Sequence, residues 1–256
     1  MNIHDTDFTD LETPGGLMRT HLFRPAPAGR YPGILLFSEI FHVTGPIRRT
    51  AAFLAAQGFV VAVPEIFHEF EPLGTVLPYT PEGTDRGNWC KINKPLAAYD
   101  ADTAAVIAYL KKHPLCTGKL GAFGICIGGH LSFRSCFRPE ILAGVCYYAT
   151  DIHKLPTHPR GLGLGMADDS LELAKQGALH GEMLMIWGRQ DPHVPFEGRR
   201  QIQSALEESG TNYQWLEFNA AHAFLRDEGA RYNPVLAQQT LAISTELFHR
   251  RLSRPD

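Results

Sequence analysis

Several things the chain lacks narrow what it can be. Its 256 residues include five cysteines, an odd number, and no two of them stand as C-x-x-C. Neither a disulfide framework nor a cysteine zinc site is therefore expected. The histidines, His68-Glu69 among them, form no H-E-x-x-H or comparable set, so no metal or other cofactor is expected. No apolar run approaches the roughly 18 residues that cross a bilayer. The opening Met1-Asn2-Ile3-His4-Asp5 has no basic stretch leading into an apolar one, so it does not read as a signal peptide. The expected compartment is the reducing cytoplasm. Lys and Arg number 24 against 27 Asp and Glu, a net charge of −3, and basic pairs such as Arg48-Arg49 and Arg199-Arg200 stand alone. No nucleic acid or other polyanion is expected as a partner, because that binding needs a basic stripe.

What is present is a globular balance, 44% hydrophobic and 20% charged. Short β-rich runs alternate with helical patterns along nearly the whole length. Ile34-Leu35-Leu36-Phe37 and Phe59-Val60-Val61-Ala62-Val63 are continuous apolar runs, as expected of parallel strands covered on both faces. Further strands are expected at 120–123, 142–148, 183–187 and 213–218, with helices at 45–57, 95–113 and 234–252. The alternation predicts one α/β domain over residues 1–256, with a mostly parallel central sheet and helices on both faces. Two segments read as irregular. Residues 66–94 are too long for a connector and are expected to form a lid or pocket wall. Residues 156–166 contain Gly161-Leu162-Gly163-Leu164-Gly165, which follows no clear strand and lacks nucleotide-loop spacing, so it is read as a loop.

The most informative run is Gly124-Ile125-Cys126-Ile127-Gly128-Gly129. It fits G-x-nucleophile-x-G, with a strand before it and an apolar helix after it. A nucleophile on such a sharp turn needs small neighbours, and the following helix aims its positive end at the reacting centre. Taken alone, Cys126 could equally be a buried structural cysteine. A nucleophile needs a base, and the base needs an orienting group. Asp191 stands in a turn past the strand at 183–187, and His222 in a loop past the strand at 213–218. Separately they read as a turn aspartate and a loop histidine. Together with Cys126 they follow the order nucleophile, acid, histidine, each at the C-terminal end of a strand, where parallel sheets do their ligand chemistry. The other cysteines lack this context.

With Glu39-Ile40-Phe41 and Gly188-Arg189-Gln190-Asp191-Pro192-His193-Val194-Pro195 added, the chain resembles the dienelactone hydrolase (carboxymethylenebutenolidase) family of α/β-hydrolases from about Pro32 to His222. The resemblance implies the α/β-hydrolase fold and cleavage of a small-molecule ester or lactone through Cys126, His222 and Asp191, with a thioester acyl-enzyme. It implies that Glu39 lies near the nucleophile and pairs with its thiol at rest, and that the Ile40 and Ile127 N–H groups form the oxyanion hole. It further implies substrate-carboxylate binding by Arg226, with Arg86 as a second anion contact. Ala223 departs from the pattern, standing where family members can carry a small hydroxyl residue. Two alternatives stay open: a general carboxylesterase or thioesterase, and a non-catalytic binding protein on the same fold. The sequence does not assign an oligomeric state.

Overall fold

Alternation of side chains along a strand sends neighbouring residues to opposite faces, so a strand apolar throughout must be covered on both. The computed structural model, which describes residues 1–153, 163–165 and 168–253, shows this directly. The chain runs β1 (Ile3–Thr13), β2 (Gly16–Pro25), β3 (Tyr31–Phe37), α1 (Gly45–Ala56), β4 (Val60–Pro64), α2 (Pro81–Asn93) and α3 (Leu96–Lys112). It continues through β5 (Cys116–Ile125), α4 (Ile127–Ser135), β6 (Ile141–Tyr147), α5 (Ser170–Lys175), β7 (Glu182–Gly188), α6 (Phe196–Glu208), β8 (Tyr213–Phe218) and α7 (Pro234–Leu252). In β3, Leu35 and Phe37 join a core layer with Val106 and Leu110 of α3 and Ile202 of α6. Ile34 and Leu36 join the opposite layer, with Ile47 and Leu54 of α1 and Phe248 of α7.

The eight strands form one sheet in the order β1-β2-β4-β3-β5-β6-β7-β8. From β4 to β8 all pairings are parallel, while β1 and β2 form an antiparallel hairpin that joins β4. The sheet is thus mostly parallel, as expected. The hairpin is an addition to the sequence reading. β1 alternates half-buried and exposed residues and contains no apolar run. It is held by pairing with β2 and by cross-strand contacts such as Arg19 to Asp10.

Residues 66–94 are not irregular throughout, since α2 occupies their second half. Two glycines and a weak apolar stripe hide this helix from a periodicity argument. Those glycines are its contact points: a Cβ at Gly83 would stand 2.0 Å from the Pro78 carbonyl oxygen, and one at Gly87 2.5 Å from that of Ile40. Thr80 caps the helix, its hydroxyl accepting from the Gly83 N–H, and Pro81 opens it. The two ends of the segment are tied together by Lys94, which is fully buried. Its ammonium donates to the Ile66 carbonyl at 2.9 Å, to Glu69 at 2.7 Å and to Asp102 of α3 at 2.5 Å, while His68 bonds Asp102 at 3.2 Å. The loop expected at 156–166 lies mostly outside the described residues.

Candidate active site

Cys126 is the single residue between β5 and α4. Its backbone is forced to φ 62° and ψ −121°, on the side of conformational space that side chains avoid. Such a turn closes only without neighbouring side chains. A Cβ at Gly124 would lie 1.8 Å from the Gly128 carbonyl oxygen, and one at Gly128 would lie 2.1 Å from that of Phe37. The Ile127 N–H sits in the first turn of α4, where backbone donors have no partner within the helix. The Cys126 carbonyl accepts from Thr150 N–H at 3.2 Å, which fixes the chain after β6 beside the elbow.

Asp191 occupies the turn after β7, its N–H bonded to the Gly188 carbonyl and its Oδ1 accepting from His193 N–H at 2.8 Å. The other carboxylate oxygen is 2.7 Å from Nδ1 of His222, which follows β8. Both side chains are buried. With Nδ1 committed to Asp191, Nε2 is left for the Cys126 sulfur. Burial works against a charged His222. The charge and hydrogen bond of Cys126, together with the Asp191 carboxylate, outweigh it and push the imidazolium up to about 10. Burial likewise opposes the Asp191 charge, yet His222 and the His193 N–H hold its carboxyl below the usual range.

Glu39 follows β3 at the same sheet edge and is buried, which raises its carboxyl; the charges of Arg226 and His222 and the Tyr79 hydroxyl oppose the rise. Its oxygens lie 3.5 Å from Tyr79 Oη and 3.9 Å from an Arg226 nitrogen. The resemblance implies that Glu39 pairs with the thiol; the contacts seen among the described residues are Cys126 with His222 and Glu39 with Tyr79 and Arg226. The Arg226 guanidinium lies over the Tyr79 ring at 4.2 Å, which fixes its direction.

A cavity of about 310 Å³ adjoins the sulfur, and its lining includes Glu39, Ile40, Cys126, His222 and Arg226. Arg86 is not brought there. It pairs with Glu71 at 2.5 Å, donates to the Phe70 carbonyl and covers the Trp89 ring. The second guanidinium on the cavity belongs instead to Arg231, which the sequence reading missed. Also missed were Tyr79, Lys91 and Asp151, which line the cavity, and Tyr148. The Tyr148 hydroxyl is buried and has no hydrogen-bond partner among the described residues; it feels the charges of Glu39 and Cys126, and its ring meets that of His222 at 4.8 Å. A signal existed for Tyr148 and Asp151, since both follow β6, the strand beside the nucleophile's, at the ligand-binding edge. Of the described acidic and histidine clusters, His68, Glu69 and Asp102 are close enough to hold a metal ion, but the Lys94 ammonium already fills that role.

A mostly parallel sheet carrying a strained cysteine between strand and helix, with an aspartate and a histidine beyond later strands, defines an α/β-hydrolase. The model of the dienelactone hydrolase family matches residues 18–252, so the chain belongs to that family and is a hydrolase. A Saccharomyces cerevisiae protein named "putative carboxymethylenebutenolidase" is 40% identical over 96% of this chain and 91% of its own length. The carboxymethylenebutenolidase of Pseudomonas putida is 28% identical over 87% of this chain and 85% of its own. Among solved structures, a "putative dienelactone hydrolase" from Klebsiella pneumoniae superposes with a TM-score of 0.84 at 22% identity, covering 98% of this chain and all of its own, and shares the fold.

Proposed function

We propose that the protein hydrolyses a carboxylic ester or lactone carrying an anionic substituent, a dienelactone-like substrate, through a thioester on Cys126. The observation that carries this reading is the His222 imidazole held between the Asp191 carboxylate and the Cys126 sulfur at the end of the parallel strands. His222 Nε2 takes the thiol proton, and the thiolate attacks the substrate carbonyl carbon. The oxyanion so formed accepts from the Ile40 and Ile127 N–H groups, donors of a kind worth about 3–4 kcal/mol each to the transition state. Collapse expels the alkoxide, which receives the proton from His222. In a lactone that alkoxide remains attached to the acyl chain. Water, giving its proton to His222, then attacks the thioester and restores the thiol.

Arg226 supports an anionic substrate, since its guanidinium lines the cavity and, among the described residues, its carboxylate partner is Glu39 at 3.9 Å. The names of the relatives support a lactone. All five thiols are free, which fits a reducing, cytoplasmic compartment.

The test is hydrolysis of a dienelactone, simple lactones and p-nitrophenyl esters by the wild type and by Cys126→Ala. The expected outcome is a loss of at least about 10³-fold in kcat/KM with folding intact. Turnover that survives the substitution rejects Cys126 as nucleophile. A preference for linear esters over every lactone makes the protein a general esterase, and binding without turnover makes it a binding protein.

A further inference from the structure

The cavity has two chemically distinct poles. One is formed by Phe41, Tyr79, Arg226 and Arg231, and it accounts for an anionic substituent. The other has no role in the reaction described above. Thr84, Asn88 and Lys91 stand four and three residues apart on α2, the spacing that puts side chains on one helix face, and all three line the cavity. Opposite them are Thr150 and Asp151, on the segment whose Thr150 N–H is bonded to the Cys126 carbonyl. This second pole therefore adjoins the nucleophile.

Lys91 is buried, and its ammonium is paired with Asp151 at 2.5 Å. An ammonium has three donors, and Asp151 takes one of them. Asp151 is held at φ 70°, a conformation that side chains seldom adopt and that the surrounding structure must impose. The helix backbone at Lys91 is fixed as well, because its carbonyl accepts from both Tyr99 Oη and Gly165 N–H. Among the described residues, the Asn88 amide and the Thr150 hydroxyl make no hydrogen bond within the protein. Asn88 and Thr150 thus present spare donors and acceptors in a rigid frame beside the Lys91–Asp151 ion pair.

We propose that this wall is a second substrate subsite, specific for a neutral hydroxyl-bearing part of the ester or lactone close to its carbonyl. A carboxylate there would meet Asp151, and an ammonium would meet Lys91. A bare methylene would cover buried donors without pairing them. A hydroxyl both donates and accepts, so it pairs with the Asn88 amide and the Thr150 hydroxyl alike. The proposal rests on the hydrolase reading of the cavity and deepens it: the preferred substrate is anionic at one end and hydroxylated near the scissile carbonyl. A site that hydrogen-bonds a hydroxyl discriminates against the analogue lacking it far better than an apolar pocket discriminates size.

The test compares α-hydroxy- and β-hydroxy-γ-butyrolactone with γ-butyrolactone. The wild type is expected to favour at least one hydroxylated lactone by roughly 10- to 100-fold in kcat/KM. In Asn88→Leu and in Lys91→Met that ratio is expected to fall to within about 3-fold of unity. If Lys91→Met fails to fold because Asp151 is left buried and unpaired, the double variant Lys91→Met/Asp151→Leu removes both charges. A wild-type ratio near one, or a ratio that none of these variants moves, overturns the proposal. If the wild type turns over no lactone or ester, the hydrolase reading fails separately, and calorimetric titration of Cys126→Ala with the same ligands decides the subsite. Tighter binding of a hydroxylated lactone by at least about 10-fold sustains it, and equal binding overturns it.

Discussion

His222 and Asp191 stabilise each other's charged forms inside a site whose burial disfavours both. The imidazolium persists to about 10 and is lost as pH rises through that value, and with it the proton that the proposed reaction gives to the leaving alkoxide. The alkaline limb of kcat/KM should therefore fall near pH 10. Asp191→Asn removes the carboxylate that supports the imidazolium, so the limb should move to lower pH and kcat/KM should drop roughly 10²- to 10⁴-fold. A pH–rate profile on a p-nitrophenyl ester checks this, and an unmoved limb would show that Asp191 does not set the ionisation of His222. Cys126, Asp191 and His222 are legible in the sequence because each carries its own local signature, a glycine-flanked turn or a strand end. Arg231 and Lys91 have none: they belong to the site only through the way α2 and the loop before α7 close over the sheet. Arg86 shows the same limit in reverse. Its charge and position in the chain suggest an anion contact, and Glu71, fifteen residues away, claims it instead.

At the scale of elements, the six parallel strands and the helices α1, α3 and α7 are legible because buried strands are apolar throughout and amphipathic helices keep their period. The β1–β2 hairpin and α2 are not, since neither has an apolar pattern and both depend on what they pack against. The contact of α2 that reaches the site is at Gly87, whose missing side chain lets the helix rest on the Ile40 peptide. Gly87→Ala adds a methyl group where 2.5 Å separates the Cβ position from the Ile40 oxygen, so either the helix or the loop that carries Ile40, the proposed oxyanion donor, must shift. Displacement of the loop weakens transition-state binding, and kcat is expected to fall about 10-fold, equivalent to about 1.4 kcal/mol, with a smaller change in KM. Steady-state kinetics with a thermal melt tests this. An unaltered kcat in a folded variant would mean that Ile40 takes no support from α2.

For the whole molecule, the buried Lys94 cluster joins both ends of the segment between β4 and α3 to the α3 helix. Removing its cation leaves Glu69 and Asp102 without their common partner in the interior. Lys94→Met is expected to destabilise the fold by about 3–5 kcal/mol, read as a lower urea midpoint. A midpoint within error of the wild type would show that the cluster is relieved by local rearrangement.

The division of labour between sheet and segment has an evolutionary consequence. Cys126, Asp191 and His222 come from the ends of β5, β7 and β8, whereas four of the residues that shape the cavity come from one segment, residues 66–94, held by the ion pairs of Lys94 and Lys91. Reaction and selectivity are therefore partly separable. Drift at cavity-facing positions of the segment such as Thr84 and Asn88 can retune which ester is accepted, whereas drift at Gly87, packed on Ile40, reaches the chemistry as well.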